Sequence, residues 1–285
     1  MKSMYIRCTG FCALLALLCS LALSGSPGQI TQLTVTVYKA GHGDMIGILS
    51  PSGETTLIDC GDSSSTQARA AIRNLPARLA RFIATHAHDD HIGNVPLIIG
   101  RTTEFYDPGL EHPSRAQEFL YRVVSTGKRL EILSRGAVLD LGGGAVLRVL
   151  WPPCPLLRGT AADANNNSLV LMLHFRNFRM LLTGDIETEA LEEFMKLDPD
   201  LACTAVKIPH HGSRGSLHSG FIRSLKARWA IVSCAKDGDP SGHGLPHEDC
   251  LRVWRQAGMA VHATGREGGI RIETDGETHR LVVLP

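Results

Sequence analysis

Between Thr85 and Asn94 the chain reads "THAHDDHIGN", which sets His86, His88, Asp89, Asp90 and His91 within six positions. The sequence holds 13 histidines in 285 residues, so three in so short a stretch point to a shared task. Imidazole nitrogen and carboxylate oxygen are the usual protein ligands of zinc and also suit manganese or iron. The apolar run Phe82-Ile83-Ala84 predicts a buried strand over 81–86, and alternation at its end would send His86 and His88 to one side. Gly93 then permits a turn that folds Asp90 and His91 back toward them.

Other residues able to do chemistry recur where apolar runs end. Asp185 closes "LLTGD" (181–185), where it can face a metal or cap the helix expected near Ile186. His210 and His211 follow Pro209 in "KIPHHGS" (207–213), again at a strand end. "NNNS" (165–168) is a polar loop whose asparagines can line a site or form Asx turns, and "GHGLPH" (242–247) carries two further histidines. Near the front, "AGHGDMIGI" (40–48) and "TTLIDCG" (55–61) carry Asp44 and Asp59. Asp44, among glycines, reads first as a turn former; Asp59 reads as a carboxylate that orients a ligand histidine through its free ring N–H.

The His-x-His-x-Asp-His order resembles the metallo-β-lactamase superfamily, whose motif divides its ligands between two adjacent metals. The later motifs follow the order found in the metallo-hydrolase domain of ComEC-type competence proteins, so the resemblance covers nearly all of 33–283. It implies an α/β fold, a metallo-β-lactamase-like four-layer αββα sandwich, and two divalent ions, zinc or manganese. It implies His86 and His88 on one metal, Asp90 and His91 on the other, Asp185 as the bridge, and His210, in preference to His211, as the last ligand. Catalytic roles fall on Asp90, His210 and His211. Asn165, Asn167, Ser168, Ser213, His243 and His247 are expected on the substrate side. Two departures stand out. Where many superfamily enzymes have a lone histidine before the bridging aspartate, this chain offers only His112 in a loop and His174, which reads as a strand residue. "GHGLPH" is also longer than the Gly-His-Pro-His of the resembling domain, which leaves open whether His243 or His247 points inward.

Two adjacent metals hydrolyse without a protein nucleophile, because they lower the pKa of a shared water and clamp the attacked group. Such sites serve phosphodiesters, lactones, thioesters and β-lactams alike, so the fold does not choose among them. The resemblance favours phosphodiester bonds of DNA. A lactone, thioester or β-lactam hydrolase would call for an apolar pocket. A metal-binding but inactive nucleic-acid or partner-binding module sits poorly with an intact set of ligand types.

The elements that must position these residues are legible as alternating strands and helices: strands over 33–37, 45–49, 55–59, 145–151, 168–175, 178–185, 204–209, 228–234 and near 260, 270 and 280. Helices are expected over 66–75, 113–126, 187–196, 217–226 and 247–257. This pattern predicts two sheets packed face to face with helices outside. Lys2, Arg7, the 14-residue apolar run 10–23 and the small residues around Ser24 read as a signal peptide over 1–24, with a retained anchor as the alternative. The expected mature product is a secreted or periplasmic hydrolase domain over 25–285. Removal of Lys2 and Arg7 from 29 basic residues leaves 27 against 28 acidic ones, so no overall field draws a polyanion. A DNA substrate would need a local basic rim, for which Lys207, Arg214, Arg223, Lys236 and Arg266 are the candidates. Of the eight cysteines, the five beyond the leader form no CxxC pair and read mainly as small buried residues.

Overall fold

Side chains on successive residues of a strand point to opposite faces, and here both faces of the central strands are apolar. The computed structural model describes residues 32–285 apart from 115, 116, 119, 122–126, 198, 199, 236–241 and 243. The signal-peptide expectation over 1–24, His243 and Lys236 lie outside the described residues, as does part of the helix expected over 113–126.

In chain order the strands are β1 (Leu33–Val37), β2 (Ile46–Leu49), β3 (Thr55–Ile58), β4 (Leu79–Ile83), β5 (Thr102–Asp107), β6 (Arg129–Ile132), β7 (Val138–Gly142) and β8 (Ala145–Trp151). They continue with β9 (Val170–Phe175), β10 (Phe178–Leu182), β11 (Ala205–Lys207), β12 (Trp229–Val232), β13 (Ala260–Ala263), β14 (Gly269–Thr274) and β15 (His279–Leu284). One sheet runs β15-β14-β1-β2-β3-β4-β5-β6 and the other β13-β12-β11-β10-β9-β8-β7. β1, β2 and β3 form the expected antiparallel meander, whereas β3 to β6 are parallel to one another.

Leu171, Leu173 and Phe175 of β9 and Phe178, Met180 and Leu182 of β10 face the first sheet, where they meet Val35, Ile48, Ile58 and Ile270. The intervening Val170, Met172 and Leu181 turn outward and pack with Phe194, Phe221, Ile222, Leu251 and Trp254, contributed by the helices Thr188–Leu197, Ser219–Leu225 and Glu248–Gln256. The first sheet is covered likewise: Leu57, Phe82 and Phe105 lie under Ala68 and Ile72 of the helix Thr66–Arg73. Each such side chain, fully buried, contributes about 1.5–3 kcal/mol of transfer free energy. The result is helix, sheet, sheet, helix, the four-layer αββα sandwich expected from the sequence.

Strands β5, β6 and β7 were not anticipated. β6 and β7 are short and half-exposed, with burial alternating too weakly to mark them by hydropathy. Among the described residues no helix is long and apolar enough to cross a membrane.

Candidate metal centre

Parallel strands β3 and β4 of the first sheet and β10 and β11 of the second all run out at one rim, and the chemistry-bearing residues sit on the loops that leave them. β4 ends at Ile83, three residues before His86, so the first motif lies in a loop rather than on a strand. His86 and His88 still share a side, with His86 Nε2 3.0 Å from His88 Nδ1. His88 caps the short helix Asp89–Ile92, whose first turn holds Asp89 and Asp90, the favourable end of the helix dipole for carboxylates. His91, in the last turn of that helix, faces inward and is fully buried.

On the opposite sheet, β11 stops before Pro209, and His210 (φ 45°) and His211 (φ 50°) both take left-handed backbone. Such geometry costs about 1–3 kcal/mol per residue outside glycine and survives only where its surroundings enforce it. It sends the two rings apart. His211 is buried, with Nε2 3.3 Å from Asp90 Oδ2, 3.4 Å from Asp185 Oδ2 and 3.3 Å from His91 Nε2. His210 lies at the cleft edge, its Nδ1 3.0 Å from Glu187 Oε1 and its Nε2 3.9 Å from Asp185 Oδ2. The sequence favoured His210 for the ligand set; the structure brings His211 there instead, because the backbone turn carries the first ring outward to Glu187.

One ligand atom each from Asp90, His91, Asp185 and His211 falls within 4.8 Å of all the others. The two histidines are oriented alike. His91 Nδ1 meets Asp59 Oδ2 at 2.7 Å and His211 Nδ1 meets the Ser233 carbonyl at 3.2 Å, so N–H donation outward leaves both Nε2 lone pairs toward the cluster. Asp59 is itself clamped by the Thr85 backbone N–H at 2.8 Å and hydroxyl at 2.7 Å.

The donor set is densely charged. Four carboxylates, Asp44, Asp59, Asp90 and Asp185, converge against one ammonium, Lys207, in a volume largely closed to water. Burial would raise the carboxyls of Asp90 and Asp185, but the His91 and His211 rings outweigh it and hold both well below the usual range. Burial would lower His91 and His211, yet Asp185 and its neighbours push His91 well up and His211 to about 9. Burial and the nearby His91 keep His86 and His88 below the ordinary histidine value, so they stay neutral, the form that binds metal. Excess buried carboxylate charge, which raises the proton affinity of the His91 and His211 rings whose Nε2 atoms face the cluster, marks a donor set that fits divalent cations in place of those protons.

Residues 45–150 match the metallo-beta-lactamase superfamily. The chain has the metallo-β-lactamase fold. A metallo-beta-lactamase fold protein, YhfI from Bacillus subtilis, superposes with a TM-score of 0.56 at 15% identity, over 85% of this chain and 99% of that one. A diphosphatase of the PhnP family gives 0.50 at 15% identity, over 89% and 99%. ComE operon protein 3 of Bacillus subtilis (strain 168) is 29% identical over 211 residues, 73% of this chain. That match covers 26% of the relative, so the chain spans about a quarter of the curated protein's length.

Within this metallo-β-lactamase fold the cluster opens onto a cleft of about 1030 Å³. Its lining includes His42, His88, Asp90, His112, Asn165, Asp185, His210, Ser213 and His247, and only Pro113 and Leu245 among its lining residues are apolar. Asn165, Ser213 and His247 therefore lie where a substrate would. Asn167 and Ser168 do not: both are fully buried, Asn167 holding Leu157 through its side-chain amide and Ser168 Oγ accepting from the Asp185 backbone N–H. They shape the loops behind the cleft. His112 packs its ring 5.0 Å from His88, while His174 stays on β9, clear of the cleft lining.

The expected basic rim is not built as the sequence implied. Lys207 is fully buried, Arg214 pairs with Asp249 at 2.8 Å, and Arg266 with Glu248 at 3.2 Å. Among the described residues no lysine or arginine lines the cleft. Asp44 is no turn former on the surface; it is buried, with Oδ2 2.5 Å from the Lys207 ammonium. Two residues escaped sequence reasoning. The His42 ring lies tilted with its centroid 4.6 Å from that of His211 and its Nε2 3.8 Å from Asp90 Oδ2, and Glu187 Oε1 lies 3.0 Å from His210 Nδ1 and accepts from the Asn165 amide at 2.8 Å. The "GHGD" spacing around Asp44 and the two-residue offset of Glu187 from Asp185 were the available signals.

Proposed function

We propose that the chain is a binuclear-metal-dependent hydrolase acting on phosphodiester bonds, with DNA as the leading substrate. The observation that carries the reading is the convergence of Asp90, His91, Asp185 and His211 on one point, with neutral His86 and His88 beside them. His86 and His88 would hold one ion, Asp90, His91 and His211 the other, and Asp185 would serve both. Zinc or manganese suits such nitrogen and oxygen donors. Bound there, two divalent cations supply a nucleophile from water near neutral pH and neutralise charge on the attacked group.

The protein's own residues do the rest. Asp59 and Ser233 fix the His91 and His211 rings. Asp90, at the inner wall of the cleft and held ionised by His91 and His211, would orient the attacking water. His210, steered by Glu187, faces the cleft and steadies charge on the departing oxygen. The lining has few apolar residues to receive an apolar lactone or β-lactam, and, with no lysine or arginine among its described residues, the charge of a phosphodiester would be met by the bound cations. The choice of DNA rests on the resemblance of the motifs to the hydrolase domain of ComEC-type competence proteins; the likeness to a diphosphatase is one of fold. Residues 1–24 are read as an export signal ahead of one hydrolase domain over 25–285.

A screen of the purified protein with Mn²⁺ and Zn²⁺ against bis(p-nitrophenyl) phosphate, nitrocefin and a simple lactone tests this. Cleavage confined to the phosphodiester is expected. Turnover of nitrocefin or the lactone with none of the phosphodiester would overturn the substrate class.

A further inference from the structure

Lysine is almost never fully buried unless it is paired, because its ammonium must give up water. Lys207 has no exposed surface, and its Nζ contacts Asp44 Oδ2 at 2.5 Å, the Gly184 carbonyl at 3.1 Å and Asp185 Oδ1 at 3.4 Å. The two oxygens of Asp185 are thereby divided. Oδ1 faces the lysine, while Oδ2 faces His91 at 3.2 Å and His211 at 3.4 Å. The contact also ties the sheets together, since Lys207 ends β11 of the second sheet and Asp44 lies in the loop between β1 and β2 of the first. Asp44, Asp59 and His91 have ligand atoms within 4.8 Å of one another, a grouping able to draw a cation away from the cleft, and the ammonium already lies against its Asp44 member.

We propose that Lys207 is a positioning residue for the metal centre: it holds Asp185 Oδ1 so that Oδ2 alone is presented to the metals, and it covers the Asp44 carboxylate behind them. This rests on the metal-binding reading above. Lys207 touches neither substrate nor reacting atoms; it acts through Asp185.

The test is metal affinity, measured by calorimetric titration of Zn²⁺ and Mn²⁺ into metal-free protein. An Asp44→Asn/Lys207→Met variant removes both buried ions with no change in net charge, and circular dichroism checks its fold. Binding weaker by about 10–100-fold is expected, the usual loss when a partner behind a metal ligand is removed. An Asp44→Asn/Lys207→Gln variant, whose amide can still donate to Asp185, should recover part of it. Asp44→Asn alone leaves Lys207 on Asp185 and should stay within a few-fold of wild type. Unchanged affinity in the Met double variant would overturn the role of Lys207 while leaving the metal centre intact. A full loss in Asp44→Asn alone would move that role to Asp44. Wild-type protein that takes up neither ion would defeat the metal reading itself.

Discussion

His91 Nδ1 lies 2.7 Å from Asp59 Oδ2, with ring and carboxylate both sealed from solvent, so the other ring nitrogen is aimed at Asp185 and His211. Asp59 does not line the cleft, yet it decides where a donor atom points. Asp59→Asn would present an amide that can donate its N–H toward Nδ1 and invert the preferred tautomer. Metal affinity is expected to fall about 10–100-fold. Equilibrium dialysis of Zn²⁺ against wild type and variant measures it.

The adjacent histidines should separate cleanly. His211→Ala removes a donor from the four-residue cluster and is expected to lower bound metal per chain. His210→Ala, which removes a ring held by Glu187 at the cleft edge, should keep the metal content and lower kcat by about 10²–10⁴-fold. Metal analysis of both purified variants beside their turnover distinguishes them; the reverse pattern would restore His210 as the ligand.

Gly43 has no space for a side chain. A Cβ there would stand 1.7 Å from the Asp90 carbonyl oxygen and 2.6 Å from its carbonyl carbon. Gly43→Ala must therefore displace the backbone that carries Asp90 and His91. A shift near 1 Å at the reacting centre costs about 10²-fold in rate. Turnover with the thermal melt followed in parallel checks whether the loss exceeds any general destabilisation.

Metal-free protein should lose stability as pH rises. Burial opposes protonation of His211, but Asp185 and Asp90 raise it to about 9 from 6.5, and Asp185, Asp59 and Asp90 likewise raise His91 against its burial. Groups raised in the fold contribute fully below about pH 6.5, and that contribution disappears as pH passes through 9. His86 and His88, lowered in the fold, are neutral in both states across this window and do not offset it. The melting temperature without metal should fall between pH 6.5 and 9. With Zn²⁺ the fall should shrink, because the ions replace protons at the same atoms. A flat metal-free profile would contradict the assignment.

The sandwich and the rim were legible because apolar runs such as Ala145–Trp151 and Leu33–Val37 match their strands residue for residue. The first histidine motif was legible from spacing alone. What spacing could not carry was backbone handedness: nothing in "PHHGS" announces that His210 and His211 are both left-handed, so spacing favoured His210 where the fold brings the His211 ring to the cluster. Burial of charge was equally hidden. Lys207 reads as a surface cation until the opposite sheet supplies Asp44, 163 positions earlier in the chain. His42 and Glu187 had only weak signals, the "GHGD" spacing and an offset of two from Asp185, and their contacts with His211, Asp90 and His210 appear only once the two sheets meet.

The most direct test incubates purified protein with single-stranded DNA and either Mn²⁺ or Zn²⁺, and measures released nucleotides before and after chelation by EDTA. Release that EDTA abolishes, that fresh metal restores, and that an Asp90→Ala/His91→Ala variant lacks in every condition is the expected result. Metal-loaded protein that leaves DNA intact with both ions, or a variant that cleaves as fast as wild type, would contradict it.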